Sequence, residues 1–137
     1  MAKMSPEQRD AFLREPRIAK LVTLYGDGRP AVVPVWFDWD GNTARVFTTR
    51  SSEKVRRIKA DPRVALSVET GVGEPEAWVT IEGDATVRDD GGLELAGKLI
   101  ERYYPPERKA EVWPSWEKMA DEWVLIEIVP VRIRSMG

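Results

Sequence analysis

Residues 31–48 decide the fold: Ala31-Val32-Val33-Pro34-Val35-Trp36-Phe37-Asp38, then Trp39, then Asp40-Gly41-Asn42, then Thr43-Ala44-Arg45-Val46-Phe47-Thr48. The first run is apolar on both faces, with Val33, Val35 and Phe37 alternating with Val32, Pro34 and Trp36. Asp-Gly-Asn is turn chemistry, so the spacing predicts a hairpin of Ala31–Asp38 against Thr43–Thr48. One face of such a strand can fill a barrel. The other needs cover from helices or from a second copy of the chain.

The same pattern extends outward. Ile18–Tyr25 reads as a strand, rich in β-branched and apolar residues, and Gly26-Asp27-Gly28-Arg29-Pro30 as the turn after it. Downstream, Arg63–Thr70, Ala77–Arg88 and Trp123–Val129 are strands, with Val131–Ser135 extending the last one past Pro130. Gly83 is a candidate bulge. Ser5-Pro6-Glu7-Gln8 opens a helix that ends near Arg14, since Ser5 can cap, Pro6 suits the first helical position and Gln8 completes a capping box. Further helices are predicted over Ser52–Ala60 and Leu93–Tyr103. Tyr104–Met119, with three prolines and with Trp113 and Trp116, is the hardest segment to assign. Six strands joined mostly by tight turns, without crossover helices, predict a mainly β fold: one six-stranded antiparallel split β-barrel with peripheral helices, spanning residues 1–137 as a single domain.

Composition removes whole classes of chemistry. The 137 residues contain no histidine and no cysteine. Imidazole catalysis, thiolate nucleophiles, disulfides and zinc–thiolate sites are therefore excluded. Ser51 and Ser52 have no imidazole partner for a hydrolase triad. No Asp/Glu cluster suggests a metal, and neither dinucleotide nor Walker glycine patterns occur. No apolar run approaches the roughly 20 residues of a membrane span, so a cytoplasmic protein without membrane contact is expected. What remains is chemistry carried by a bound cofactor.

The segment Thr48-Thr49-Arg50-Ser51-Ser52-Glu53-Lys54-Val55-Arg56-Arg57 is suited to hold one. Four hydroxyls and four cations lie between a strand and a helix start, which is the donor set that a phosphate requires. The net charge of the chain is −2, yet residues 50–63 hold six Lys/Arg against two acids. A short basic island on an acidic chain suits one anionic ligand rather than a nucleic acid. Lys54 is also misplaced against the positive end of a helix unless an anion sits there. Lys54 is expected to be exposed. The six tryptophans, Trp36, Trp39, Trp78, Trp113, Trp116 and Trp123, fill core and interface, and one or two could pack on a planar heterocycle.

With these residues in hand, the chain resembles the pyridoxamine 5′-phosphate oxidase-like flavin-binding split-barrel superfamily. The resemblance runs through Ala19–Thr23, Gly28-Arg29-Pro30, Val33–Phe37, Phe47–Lys54, Ile58–Val64, Val79–Ala85 and Val124–Pro130. It implies a homodimer with two cofactor sites at the subunit interface. It implies that Pro34, Val35 and Trp36 edge an isoalloxazine-type ring, with Thr48 and Thr49 beside it. Ser51, Ser52 and Lys54 would hold the phosphate, with Arg57 nearby, and Trp78 and Trp123 would add ring contacts. True pyridoxamine phosphate oxidases carry an arginine where Val32-Val33 stands and a basic residue in place of Glu53, so vitamin-B6 oxidation is not expected. The chain is more similar to the small members that use the deazaflavin coenzyme F-420, or FMN. The implied activity is hydride transfer to a small conjugated substrate. The alternative is a carrier, store or sensor of the same cofactor.

Overall fold

A computed structural model describes residues 2–137. Seven strands form one antiparallel sheet: β1 Ala19–Leu24, β2 Pro30–Val35, β3 Asp38–Trp39, β4 Ala44–Thr49, β5 Arg63–Glu69, β6 Trp78–Arg88 and β7 Trp123–Met136. Their order is β2-β1-β5-β6-β7-β4-β3. The two outermost strands, β2 and β3, are joined by only Trp36 and Phe37. A link that short brings the ends of the sheet together, so the sheet curls into a barrel split along the β2/β3 seam. Burial alternates along the strands with the period of two that a pleat imposes. Ala19, Leu21, Val46, Leu66, Val68, Val79, Ile81, Ile126 and Ile128 fill the interior.

The fold is the split barrel expected, with seven strands instead of six. The single expected strand Ala31–Asp38 breaks at Trp36-Phe37. Val35 pairs with Ala19, the first residue of β1, so the ladder runs out there. The chain then turns inward, burying Phe37, and restarts as β3. The hairpin expected between Ala31–Asp38 and Thr43–Thr48 therefore shrinks to two pairs, Asp38↔Arg45 and Trp39↔Ala44. Its turn is as the sequence implied: Asp40 Oδ1 accepts from the backbone N–H of Asn42 at 2.8 Å and of Thr43 at 2.7 Å. The body of the strand pairs with β1, Leu24 opposite Pro30. Pro30 and Pro34 are tolerated because β2 ends the sheet and one side of it makes no ladder.

Gly83 sits at the register shift of the β6/β7 ladder, as its position in the sequence suggested. A Cβ there would lie 2.3 Å from the Val129 carbonyl oxygen, so only glycine lets the strands approach.

Four α-helices surround the barrel: α1 Pro6–Arg14, α2 Glu53–Ala60, α3 Gly92–Tyr103 and α4 Pro106–Lys118. The capping box of α1 forms as read, with Gln8 N donating to Ser5 Oγ and Ser5 N to Gln8 Oε1. Helix α3 lies over β4 and β7 and builds a second small core from Leu95, Leu99 and Leu125 with Trp36, Phe47 and Tyr103. Its place is pinned by Asp38, whose side chain is 3% exposed and takes Lys98 Nζ at 3.0 Å and Arg102 NH1 at 3.3 Å, both from α3. Helix α4 occupies the stretch that the sequence left unassigned. Pro106 starts it, where a missing N–H costs nothing, and Pro114 lies inside it.

Candidate functional site

Strand β4 ends where α2 begins, and this junction positions the polar half of the site. Thr48 is the last inward-facing residue of β4 and is buried. Lys54, in the first turn of α2, folds back so that Nζ donates to Thr48 Oγ1 at 2.9 Å. The Thr48 hydroxyl in turn donates to Ser52 Oγ at 3.2 Å. Ser52 is the N-cap residue of α2, yet its side chain caps nothing. The hydroxyl normally spent on the helix end is turned toward Thr48 instead.

Lys54 is half-buried, against the expectation of an exposed side chain. Surrounding protein atoms partly remove water from the amine. That burial, and then the charge of Arg57, hold its pKa below the usual lysine value. Among the described residues, its one side-chain hydrogen bond is to Thr48. A half-buried ammonium without a carboxylate partner is left with charge and donors that an anion would satisfy.

The apolar half is a cavity of about 490 Å³. Pro34, Val35 and Trp36, at the end of β2, form one side with Ile18. Phe47, Tyr104 and Trp116 form another, and Lys54 stands at its polar margin. Trp36 is fixed by a ring stack on Tyr103, with centroids 4.9 Å apart and planes 2° from parallel.

A second concavity of about 270 Å³ lies around the start of α2, lined by Arg50, Ser51, Ser52, Val55, Arg56 and Lys59. Ser52 stands between the two spaces, lining this one and bonding the Thr48 that receives Lys54. Arg50 is engaged by Asp89 at 2.6 Å and by the Asp121 carbonyl, and Arg56 by Glu53.

The other candidates distribute as follows. Thr49 does not line the cavity; its carbonyl accepts Ser52 N at 3.1 Å and so tightens the turn into α2. Arg57 points to β1, with Nε donating to buried Thr23 Oγ1 at 2.7 Å and its guanidinium 5.0 Å from the Tyr25 ring. Trp123 backs the cavity from behind, 5.6 Å from Phe47 and 5.2 Å from Trp116. Trp78 lies at the far end of the β6/β7 ladder, opposite Met136, while the other end, Arg88↔Leu125, is the one near Trp123. It does not line the cavity of its own chain.

Ile18, Phe47, Tyr104 and Trp116 line the cavity without having been singled out as its residues. For Trp116 a signal exists: Trp113 and Trp116 are three apart, one helical turn, once Pro105-Pro106 is read as a helix start.

The donor set fits a phosphate-bearing flavin or deazaflavin: an uncompensated amine and two hydroxyls for the phosphate, beside a largely apolar, aromatic cavity for the ring. No group of three metal-ligating side chains occurs among the described residues.

Comparison with known proteins places the chain among flavin- and deazaflavin-related folds. A curated relative, the F-420H(2)-dependent biliverdin reductase of Mycobacterium tuberculosis (strain CDC 1551 / Oshkosh), is 43% identical over 82 residues, 58% of this chain and 57% of that protein. The chain thus matches little more than half the length of that relative. A solved structure of an F-420 reductase is 30% identical with TM-score 0.71, covering 90% of this chain and 94% of that one. A conserved hypothetical protein of Mycobacterium tuberculosis, Rv2991, superposes with TM-score 0.76 at 27% identity, covering 98% of this chain and 85% of that one. The family model described as pyridoxamine 5′-phosphate oxidase matches residues 5–137, and the chain belongs to that family.

Proposed function

We propose that the protein is an oxidoreductase that binds coenzyme F-420 or FMN, with F-420 preferred, and reduces a flat conjugated substrate. The observation that carries this reading is the half-buried Lys54 amine, bonded to Thr48, which in turn bonds Ser52, and without an acid partner among the described residues, at the margin of an aromatic cavity. Lys54, Ser51 and Ser52 bind the phosphate. Pro34, Val35 and Trp36 orient the ring, and the aromatic wall excludes water. When bound, the reduced ring supplies a hydride, and a proton from water completes the two-electron reduction of a conjugated carbonyl or methine. The similarity to an F-420-dependent reductase and the second, cation-lined concavity favour F-420, because its oligoglutamate tail is anionic. The absence of the basic residues of B6 oxidation, at Val32-Val33 and Glu53, argues against pyridoxamine phosphate as substrate.

The working unit is a homodimer. On the outside of the barrel, Val22, Leu24, Ala65 and Val131 line a groove of about 500 Å³ edged by Arg63, Glu82 and Asp84, and Val131 is 75% exposed. A second copy packed on this face would cover Val131. In that assembly Trp78, remote from its own cavity, is the proposed aromatic contribution to the partner's site.

Titration of the purified protein with F-420 and with FMN, followed by turnover of the reduced complex with biliverdin, tests the reading. Binding of F-420 with reduction of biliverdin is expected. Binding of neither cofactor overturns it. Tight binding with no turnover toward any conjugated acceptor favours the carrier or sensor.

A further inference from the structure

One side of the cavity lies where the β1/β2 ladder stops. The last pair of that ladder is Ala19↔Val35. One step further, the same register would set Ile18 opposite Trp36, and two steps further, Arg17 opposite Phe37. Neither pair forms, because β1 begins at Ala19 and β2 ends at Val35. Ile18 and Trp36 nevertheless both line the cavity. Two segments that have left the sheet therefore shape this wall, and the ladder does not fix them.

One side chain reaches both. Tyr103, the last residue of α3, donates its hydroxyl to the Arg17 carbonyl oxygen at 2.7 Å. Its ring stacks on Trp36 with centroids 4.9 Å apart and planes 2° from parallel. Tyr103 is half-buried and does not itself line the cavity. Burial holds the hydroxyl pKa above the ordinary tyrosine value, countered in part by the Phe37 backbone, so the group remains a donor at neutral pH. Arg102, one residue earlier, pairs with Asp38 at 3.3 Å, so this end of α3 is itself fastened. The other hold on Arg17 is its guanidinium, bridged between Glu15 and Glu74. Those side chains are 50% and 46% exposed, and ion pairs in that setting contribute little. The half-buried hydrogen bond and the ring stack contribute more.

We infer that Tyr103 is a positioning residue of the cofactor site: it clasps Arg17-Ile18 to Trp36 where the β1/β2 ladder stops, and so sets the shape of that side of the cavity. The inference rests on the proposed cofactor reading, in which Pro34, Val35 and Trp36 orient the ring. Tyr103 acts on the cofactor only through Ile18 and Trp36.

The experiment compares wild type with Tyr103→Phe, which keeps the stack and loses the hydroxyl, and Tyr103→Leu, which loses both. Ile81→Val, inside the barrel, controls for loss of stability alone. Each protein is melted without cofactor and then titrated by fluorescence with whichever of F-420 and FMN binds wild type more tightly. At saturation, the circular dichroism induced in the absorption band of the cofactor reads how the ring is held. Affinity is expected to fall about threefold in Tyr103→Phe and about tenfold in Tyr103→Leu, the scales of one hydrogen bond and of that bond together with a ring pair. The induced band should change in both, more in Tyr103→Leu. Ile81→Val should lower the melting temperature and keep the wild-type affinity and band. An induced band unchanged in every Tyr103 variant that folds overturns the inference and leaves the cofactor reading intact. The same loss of affinity and change of band in Ile81→Val also overturns it, because the effect would then be one of stability. If Tyr103→Leu does not fold, Tyr103→Phe decides alone. If wild type binds neither F-420 nor FMN, the cofactor reading itself falls, and the inference with it.

Discussion

Lys54 Nζ lies 2.9 Å from Thr48 Oγ1, and that hydroxyl is the only hydrogen-bond partner of the amine among the described residues. Lys54→Ala is expected to weaken F-420 or FMN binding by about 1.5–3 kcal/mol, the scale of a hydrogen bond to a charged group. Fluorescence titration reads the loss, and a far-UV melt should show an intact fold. Unchanged affinity for both cofactors removes the phosphate assignment.

The same amine makes the cofactor-free protein pH-sensitive. Its pKa is depressed by burial in the folded state, so the unfolded chain binds more protons between that value and the ordinary lysine value. The Lys54 contribution to stability therefore rises with pH across that window, while phosphate affinity falls across it. Lys54→Met should stabilise the free protein at neutral pH by about 0.5–2 kcal/mol, as replacement of a group kept for function often does. Melting curves against pH for wild type and variant test this: the gap between them should narrow as pH rises.

Charge reversal at Arg56 and Lys59 should weaken F-420 more than FMN. Both line the concavity beyond Ser52, where only the longer anionic tail would reach. The expected difference is about tenfold at low ionic strength, shrinking in salt. Equal losses for the two cofactors would point to FMN.

Asp38→Asn should cost about 2–3 kcal/mol in urea unfolding, somewhat below a fully buried ion pair because Lys98 is 54% exposed. The carboxylate ties Arg45 of β4 and Lys98 and Arg102 of α3 to the β3 seam. Arg102 precedes Tyr103, so loosened stacking of Trp36 should appear as a change in near-UV circular dichroism.

Gly83→Ala should cost about 1–3 kcal/mol, because the new methyl meets the Val129 carbonyl, a backbone atom unable to rotate away. A neutral effect in urea unfolding would mean that the bulge adjusts without strain.

Period-two alternation with turn residues at the joints made the barrel legible in the sequence. The clustering of hydroxyls and cations did the same for the β4–α2 junction. The break at Trp36-Phe37 was not legible, since an apolar run on both faces reads the same whether it continues or crosses a seam. Helix α4 was hidden because proline usually ends helices, and because it offers no buried stripe to betray a helical period. Lys54 looked exposed for a related reason: the hydrophobic cover around it comes from β2, α3 and α4, distant in sequence. Trp78 and Trp123 were chosen for lying in strands, and strand position alone does not say which end of a ladder faces a ligand.

The place of β7 has a consequence for synthesis. It follows every other strand in the chain, yet it sits between β6 and β4. As the polypeptide leaves the ribosome, β2-β1-β5-β6 can pair as one piece and β3-β4 as another, but no strand ladder joins them until Trp123–Met136 emerges. Two open edges, on β6 and β4, therefore face the crowded cell through most of translation, and the Thr48–Lys54 junction proposed to hold the cofactor belongs to the smaller, weaker piece. Stalling the nascent chain before residue 123 should leave a protease-sensitive form unable to hold the cofactor.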